Sequence, residues 1–329
     1  MATMSAFHPE LARGRFIPKL SFSPLLVRLT RDRIPKVPAV PDDMLVEDVT
    51  IPGTSERPAV GVRVYRPKDL KSGSPAMLWM NGGGFIGGSL EQDQRTNLAF
   101  ARELGMTVVA VRYRVAPQHP SPAAIEDAYA ALIWLFDQAA ERGIDRERIA
   151  IAGASAGGGL AATLAIYAHD RGEVRPAFQL LIYPMLDDRT VGRTDHDTRH
   201  VRIWTPGSNR YGWTSYLGVA PGSPGVSPYA AAARREDLRG LPPAWIGVGT
   251  IDLFHDEDVE YARRLIEAGV PCSLSIVPGA FHGFDALFQK TNVVRRFWRD
   301  QVEALSSALS QPLSDAGAAV AAADRGSPA

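Results

Sequence analysis

The sequence predicts an α/β fold built on a mostly parallel central sheet with helices covering both faces. Three observations carry that prediction. Short apolar runs alternate with longer segments of helical period from about residue 76 to residue 309, the pattern of repeated strand–helix units. Runs such as 76–80 and 149–152 are continuously apolar, as strands buried on both faces must be. The 149–152 run then breaks into Gly153-Ala-Ser-Ala-Gly157 and an Ala/Leu-rich helical stretch. That is a G-x-S-x-G turn between a strand and a helix, which aims a serine hydroxyl above the sheet.

Residues 1–43 are rich in Pro and Arg and cannot build a core alone. Residues 44–51 and 59–65 alternate β-branched and polar residues around Pro52-Gly53 and Pro58, which predicts an antiparallel pair at a sheet edge. The strand at 76–80 leads into a glycine loop and a helix over 92–104 that stops at Gly105. A strand at 107–113 is followed by a proline-rich loop and a helix over 123–140. After the serine turn come a helix over 158–169 and a strand at 178–183. Strands at 244–248 and 273–277 are separated by a helix over 256–268, and an amphipathic helix over 292–309 closes the pattern. Residues 185–241, rich in Pro, Gly and aromatics, break the rhythm and read as an insertion. Residues 311–329 lack a periodic apolar face and are expected to be disordered.

With 45% hydrophobic and 22% charged residues the composition is that of a globular protein, and 329 residues suffice for one large α/β domain with an accessory element or for two modest domains. Lys plus Arg and Asp plus Glu both number 36, so no basic face points to nucleic acid. A single cysteine, Cys272, excludes an internal disulfide framework and suits a reducing compartment; its apolar context marks it as a core residue. No apolar run is long enough to span a membrane and no leader pattern stands at the N-terminus. The expected location is the cytoplasm.

A serine nucleophile needs a base, an acid to orient that base, and donors for the oxyanion. On a strand–turn–helix serine the chain order is Ser, then Asp or Glu, then His, each beyond the carboxyl end of a strand. Asp252 follows the strand at 244–248, and His282 follows the strand at 273–277. None of the other histidines (His8, His119, His169, His196, His200 and His255) follows the last strand. Asp256, Glu257 and Asp258 compete with Asp252 but fall in the first turn of the next helix, where carboxylates complement the helix dipole. Donors are expected from Asn81-Gly-Gly-Gly-Phe-Ile-Gly-Gly88: the N–H groups of Gly83 and Gly84 would join that of Ala156. Gly82-x-Gly84-x-x-Gly87 also matches a dinucleotide fingerprint, but no helix opens on its last glycine and the next strand ends in Arg112-Tyr-Arg114. No phosphate loop or spaced metal-ligand cluster appears, so neither metal nor cofactor is expected.

Together these residues resemble the bacterial hormone-sensitive-lipase-like esterases of the α/β-hydrolase superfamily. The likeness spans about 76–309 and includes the tri-glycine loop, Tyr113-Arg-Val-Ala-Pro-Gln-His-Pro120, Glu126-Asp127, the turn at 153–159, Asp252 with Asp256-Glu257, and His282-Gly-Phe284. The resemblance implies an α/β-hydrolase catalytic domain at 44–310. Over it would lie a mostly helical cap made of 1–43 and an insertion of about 185–225. It implies a carboxylesterase acting on short- to medium-chain esters through a Ser155–His282–Asp252 acyl-enzyme mechanism, and it allows a homodimer. An amidase or lactonase would use the same triad, and a ligand-binding homologue would have lost part of it. The pocket would draw on Phe85, Trp204, Tyr211, Trp213, Phe281 and Phe284. Two neighbours depart from the family pattern. Asn81, with Gly82 a support of the loop, stands where His is usual, and Ala154 where Asp or Glu is usual; Gln118 for Glu is a milder change.

Overall fold

The computed structural model of the chain describes residues 6–24, 27, 37–55 and 57–310. The tail at 311–329 lies outside them. Eight strands form one sheet: β1 (Met44–Ile51), β2 (Val60–Pro67), β3 (Ser74–Met80), β4 (Thr107–Arg112), β5 (Ile144–Ala154), β6 (Phe178–Ile182), β7 (Ala244–Gly249) and β8 (Cys272–Val277). Their order across the sheet is β1-β2-β4-β3-β5-β6-β7-β8. Only β2 runs antiparallel to its neighbours; every other pairing is parallel. The helices are α1 (Gln94–Leu104), α2 (Ala123–Asp137), α3 (Ala156–Arg171), α4 (Pro206–Leu217), α5 (His255–Glu267), the single turn α6 (Phe284–Leu287) and α7 (Asn292–Leu309).

Strand alternation divides the apolar residues between two cores. Along β3, Leu78 and Met80 join α2, α3 and α5 (Leu132, Leu160, Leu265) on one face. Met77 and Trp79 join α1 and α7 (Leu98, Phe297, Leu305) on the other. Helix ends follow local chemistry: α1 stops at Gly105 in the left-handed conformation, φ 57°. Thr205 starts α4 by accepting the Ser208 N–H, with Pro206 next in line. β5 starts five residues before the apolar run, because a β-bulge opposite Ser74 and Ala76 lets pairing with β3 resume at Ile144.

The chain crosses over at β3, whose neighbours are β4 and β5. Such a switch point opens a crevice at the carboxyl ends of the strands. Met80 pairs with Gly153 there, so the loop after β3 and the turn after β5 emerge side by side. The insertion between β6 and β7 contains α4 and two short 3-10 turns, Asp188–Gly192 and Ala232–Arg234. Residues 6–24, with a 3-10 helix at Pro9–Phe16, pack on it. The Ser21 and Thr205 hydroxyls are 2.7 Å apart, Phe22 N–H donates to Ser208 Oγ at 2.9 Å, and the Arg202 guanidinium donates to the Arg15 carbonyl at 3.1 Å.

Candidate active site

Ser155 sits between β5 and α3 with φ 58° and ψ −122°, a backbone region that costs a non-glycine residue about 1–3 kcal/mol. Close packing imposes it. A Cβ on Gly153 would lie 2.3 Å from the Gly157 carbonyl oxygen, and one on Gly157 would lie 2.1 Å from that of Met80. Ser155 N–H donates to the Ile182 carbonyl at 2.9 Å, and the Ser155 carbonyl accepts from Gly159 and Met185 N–H. The serine is therefore held by β6 and its own helix while its side chain points away from both.

Ser155 Oγ lies 2.9 Å from His282 Nε2, and His282 Nδ1 lies 2.9 Å from Asp252 Oδ2. An ionised carboxylate only accepts, so Nδ1 carries the proton and Nε2 is left to accept from the serine hydroxyl. Asp252 Oδ1 accepts the Phe254 N–H at 3.0 Å, which fixes the carboxylate's rotation. Tyr183 and Phe254 set ring edges against the imidazole at 4.7 Å and 5.2 Å between centroids. Ser155, Asp252 and His282 are all buried. A base, its orienting acid and an acceptable proton donor thus form one continuous hydrogen-bonded chain.

The loop after β3 faces this serine. Asn81 Nδ2 donates to the Gly82 carbonyl at 2.8 Å, Gln92 Nε2 reaches the same oxygen at 3.3 Å, and Tyr113 O–H donates to the Asn81 carbonyl at 2.7 Å. The N–H groups of Gly83, Gly84 and Ala156 have no hydrogen-bond acceptor among the described residues. Gly83 and Gly84 adopt φ 139° and 61°. Phe85 follows with φ 60°, its ring stacked on Tyr216 at 3.9 Å and tilted against Trp213 at 5.8 Å. Trp204 closes over the loop so tightly that a Cβ on Gly84 would lie 1.9 Å from its ring.

The pocket aromatics divide. Phe85, Trp204 and Trp213 brace this loop, and Tyr211 is half-buried beside them. Phe281 and Phe284 correct the expectation. Phe281 packs with Phe7 and Phe288 and against Gly14, while Phe284 packs on Phe297. Both rings are fully buried and belong to the core cluster on the α7 side of the sheet, where their partners are core aromatics. Sequence reasoning passed over Tyr183 and Phe254, which flank His282, and named Tyr113 only within a motif, without its role in holding the loop. Tyr183 directly follows β6 at the carboxyl edge of the sheet, the one signal that marked it.

The acidic run after Asp252 falls in the first turn of α5 as expected, but only part of it faces solvent. Asp256 is exposed and pairs with Arg193, but Glu257 and Asp258 are buried. Glu257 Oε1 accepts the N–H groups of Leu186 and Asp187 and Oε2 the Thr190 hydroxyl, tying the insertion to α5. Asp258 has no partner on either oxygen among the described residues. Burial pushes its carboxyl well above the usual range, and the charges of Glu257 and Asp252 add to that. An acid whose folded pKa is raised stabilises the fold fully below its unfolded value, and that contribution is lost as pH rises through the folded pKa. Asp258→Asn is therefore expected to be more stable than the parent by about 1–3 kcal/mol in mildly alkaline buffer. The gain should shrink toward zero in acid, and denaturant midpoints at the two pH values check it.

Comparison with known proteins agrees with this geometry. A family described by its alpha/beta hydrolase fold matches residues 77–286. Esterase LipI of Mycobacterium tuberculosis is 35% identical over 267 residues, 78% of this chain and 81% of that protein. Carboxylesterase NlhH of Mycobacterium tuberculosis is 35% identical over 264 residues, 78% of this chain and 82% of that one. The structure of a bacterial heroin esterase superposes with a TM-score of 0.84 at 36% identity, covering 92% of this chain and 98% of that one.

Proposed function

We propose, from the premise that this chain belongs to the α/β-hydrolase-fold family, a serine carboxylesterase mechanism centred on Ser155. The Ser155–His282–Asp252 hydrogen-bonded chain is the observation that carries the reading. Ser155 Oγ attacks the ester carbonyl as His282 Nε2 takes its proton, and Asp252 stabilises the imidazolium through Nδ1–H. The oxyanion is held by the free N–H groups of Gly83, Gly84 and Ala156, the last at the amino end of α3. His282 returns the proton to the leaving alcohol, then deprotonates the water that hydrolyses the acyl-enzyme. Every group in this cycle comes from the chain, so no cofactor enters it.

The tri-glycine loop supports the finer assignment to hormone-sensitive-lipase-like esterases, with Asn81 serving where the resembling family has His. Its side chain donates to the loop's own Gly82 carbonyl, so its part is to set the loop's shape and leave the oxyanion to the backbone. Asn81→Ala should lower kcat about tenfold with little change in KM, read on a p-nitrophenyl ester. Residues 6–24 and about 185–225 would form the cap, with Trp204 and Tyr211 near the acyl group. Short- to medium-chain esters fit a buried serine roofed by aromatics. Use of a single cysteine fits the cytoplasm.

A fluorophosphonate probe tests the reading directly: it should label Ser155 stoichiometrically and abolish turnover. Absence of labelling would leave a ligand-binding homologue. Rates on matched ester, amide and lactone substrates, followed by a chain-length series of p-nitrophenyl esters, separate the carboxylesterase from an amidase or lactonase.

A further inference from the structure

Behind the nucleophile, between α1 and α7, lies a cavity of about 640 Å³ that the mechanism above does not use. Ala154 and Tyr183 stand at its floor and Trp79, Phe297 and Trp298 along its walls. Ala154 is the residue that replaces the acid usual in the resembling family, and its methyl leaves that floor open. Two carboxylates line the same space. Asp93 precedes α1 as its N-cap residue, yet its side chain makes no cap and accepts the Trp79 indole N–H at 2.9 Å instead. Asp285 accepts the Tyr183 O–H at 2.8 Å. Neither forms an ion pair among the described residues. A third polar group, Gln301 of α7, lines the cavity at 2% exposure, with no hydrogen-bond partner among the described residues.

Burial holds both carboxyls above their ordinary range; the charge of Asp285 adds to it at Asp93, pushed up to about 6. Buried polar groups are ordinarily partnered, and buried charge is ordinarily neutralised. Here the Gln301 amide opens to the cavity without a side-chain hydrogen bond among the described residues, and two half-buried neighbouring carboxylates form no ion pair among them, inside aromatic walls that suit an organic cation. Among the described residues, no group of three or more His, Cys, Asp or Glu could hold a metal ion. Arg95, Arg295 and Arg299 stand at the mouth, all exposed. Their repulsion is screened over about 8 Å at physiological ionic strength, whereas charges inside the cavity are screened far less.

We propose that this cavity binds a small organic ammonium ion. The charged head lies at Asp93 and Asp285 with the Gln301 carbonyl as a further acceptor, and the apolar body lies against Trp79, Phe297 and Trp298. The site is separate from the ester pocket, although Tyr183 connects the two: its hydroxyl binds Asp285 and its ring edge touches His282.

The test is calorimetric titration of the full chain with benzylamine near neutral pH, beside benzyl alcohol and benzoate. Benzylamine should bind at least about tenfold tighter than either, and Asp93→Asn with Asp285→Asn should weaken it at least about tenfold. Both asparagines keep an acceptor for Trp79 and Tyr183. Should that double variant fail to fold, Thr96→Trp fills the cavity from α1 and must weaken benzylamine to the same degree. Affinity should be unchanged once Ser155 carries a phosphonyl group. Equal binding of benzyl alcohol, unaltered affinity in the variants, or loss of binding on phosphonylation would each overturn the proposal. If Ser155 takes no phosphonyl group, the esterase reading fails, while the variants still report on the cavity.

Discussion

Ser155→Ala is expected to lower kcat on p-nitrophenyl butyrate by about 10⁴–10⁶-fold, to leave KM within a few-fold and to leave the melting temperature almost unmoved. The size follows from the loss of covalent catalysis as a whole: without the nucleophile, His282 and Asp252 have nothing to activate, and only the oxyanion donors and binding still assist water. KM holds because the hydroxyl contributes most once the bond to carbon forms. Stability holds because alanine at φ 58° is strained as serine is, and the backbone bonds to Ile182, Gly159 and Met185 do not involve Oγ. Circular dichroism and a thermal scan confirm the fold beside the kinetics. Turnover at more than a few per cent of the parent rate would remove Ser155 from the mechanism.

Gly84→Ala is expected to cost at least about 10²-fold in kcat, the usual effect of losing one oxyanion donor. Two separate conflicts produce it. The added Cβ would lie 1.9 Å from the Trp204 ring, and φ 61° disfavours any side chain. The loop must shift or Trp204 must swing out, and either movement displaces the Gly84 N–H from the oxygen it binds. Trp204→Ala in the same chain separates the two causes. It removes the clash and leaves the φ conflict, so it should restore part of the rate and not all of it. Full recovery would show that Gly84's conformation matters less than its contact with the tryptophan.

The parallel sheet, the triad and the tri-glycine loop were legible because each rests on a local pattern. Continuous apolar runs report burial on both faces, and the small residues at 153 and 157 report a turn that admits no side chain. Asp252 and His282 were legible by order along the chain, since each directly follows a strand whose position in the sheet is set by its neighbours. Phe281 and Phe284 were misread because an aromatic beside a catalytic histidine has the same sequence signature whether it faces substrate or core. The difference is made by Phe7, Gly14 and Phe297, residues remote in sequence. Glu257 and Asp258 stand in the first turn of α5 as their position in the sequence implies, but their burial was not legible for a similar reason. A first-turn carboxylate looks like a solvated dipole partner until the insertion at Leu186–Thr190 folds over it. Tyr183 gave almost no signal, because its role depends on His282 and Asp285 arriving from the far end of the chain.

That last dependence has a consequence for how the protein comes into being. Ser155 and His282 are 127 positions apart; at about 5–20 residues per second on the ribosome, the serine is made well before the group that activates it. During that interval β5 and α3 carry an ordinary alcohol, unable to acylate itself on the esters around it. Hydrolytic power appears only when β8 has docked at the far side of the sheet and α7 has closed beneath it. Esterase turnover is then a readout of completed folding, and a nascent or C-terminally trimmed chain lacking β8 should be silent even where its first six strands have formed.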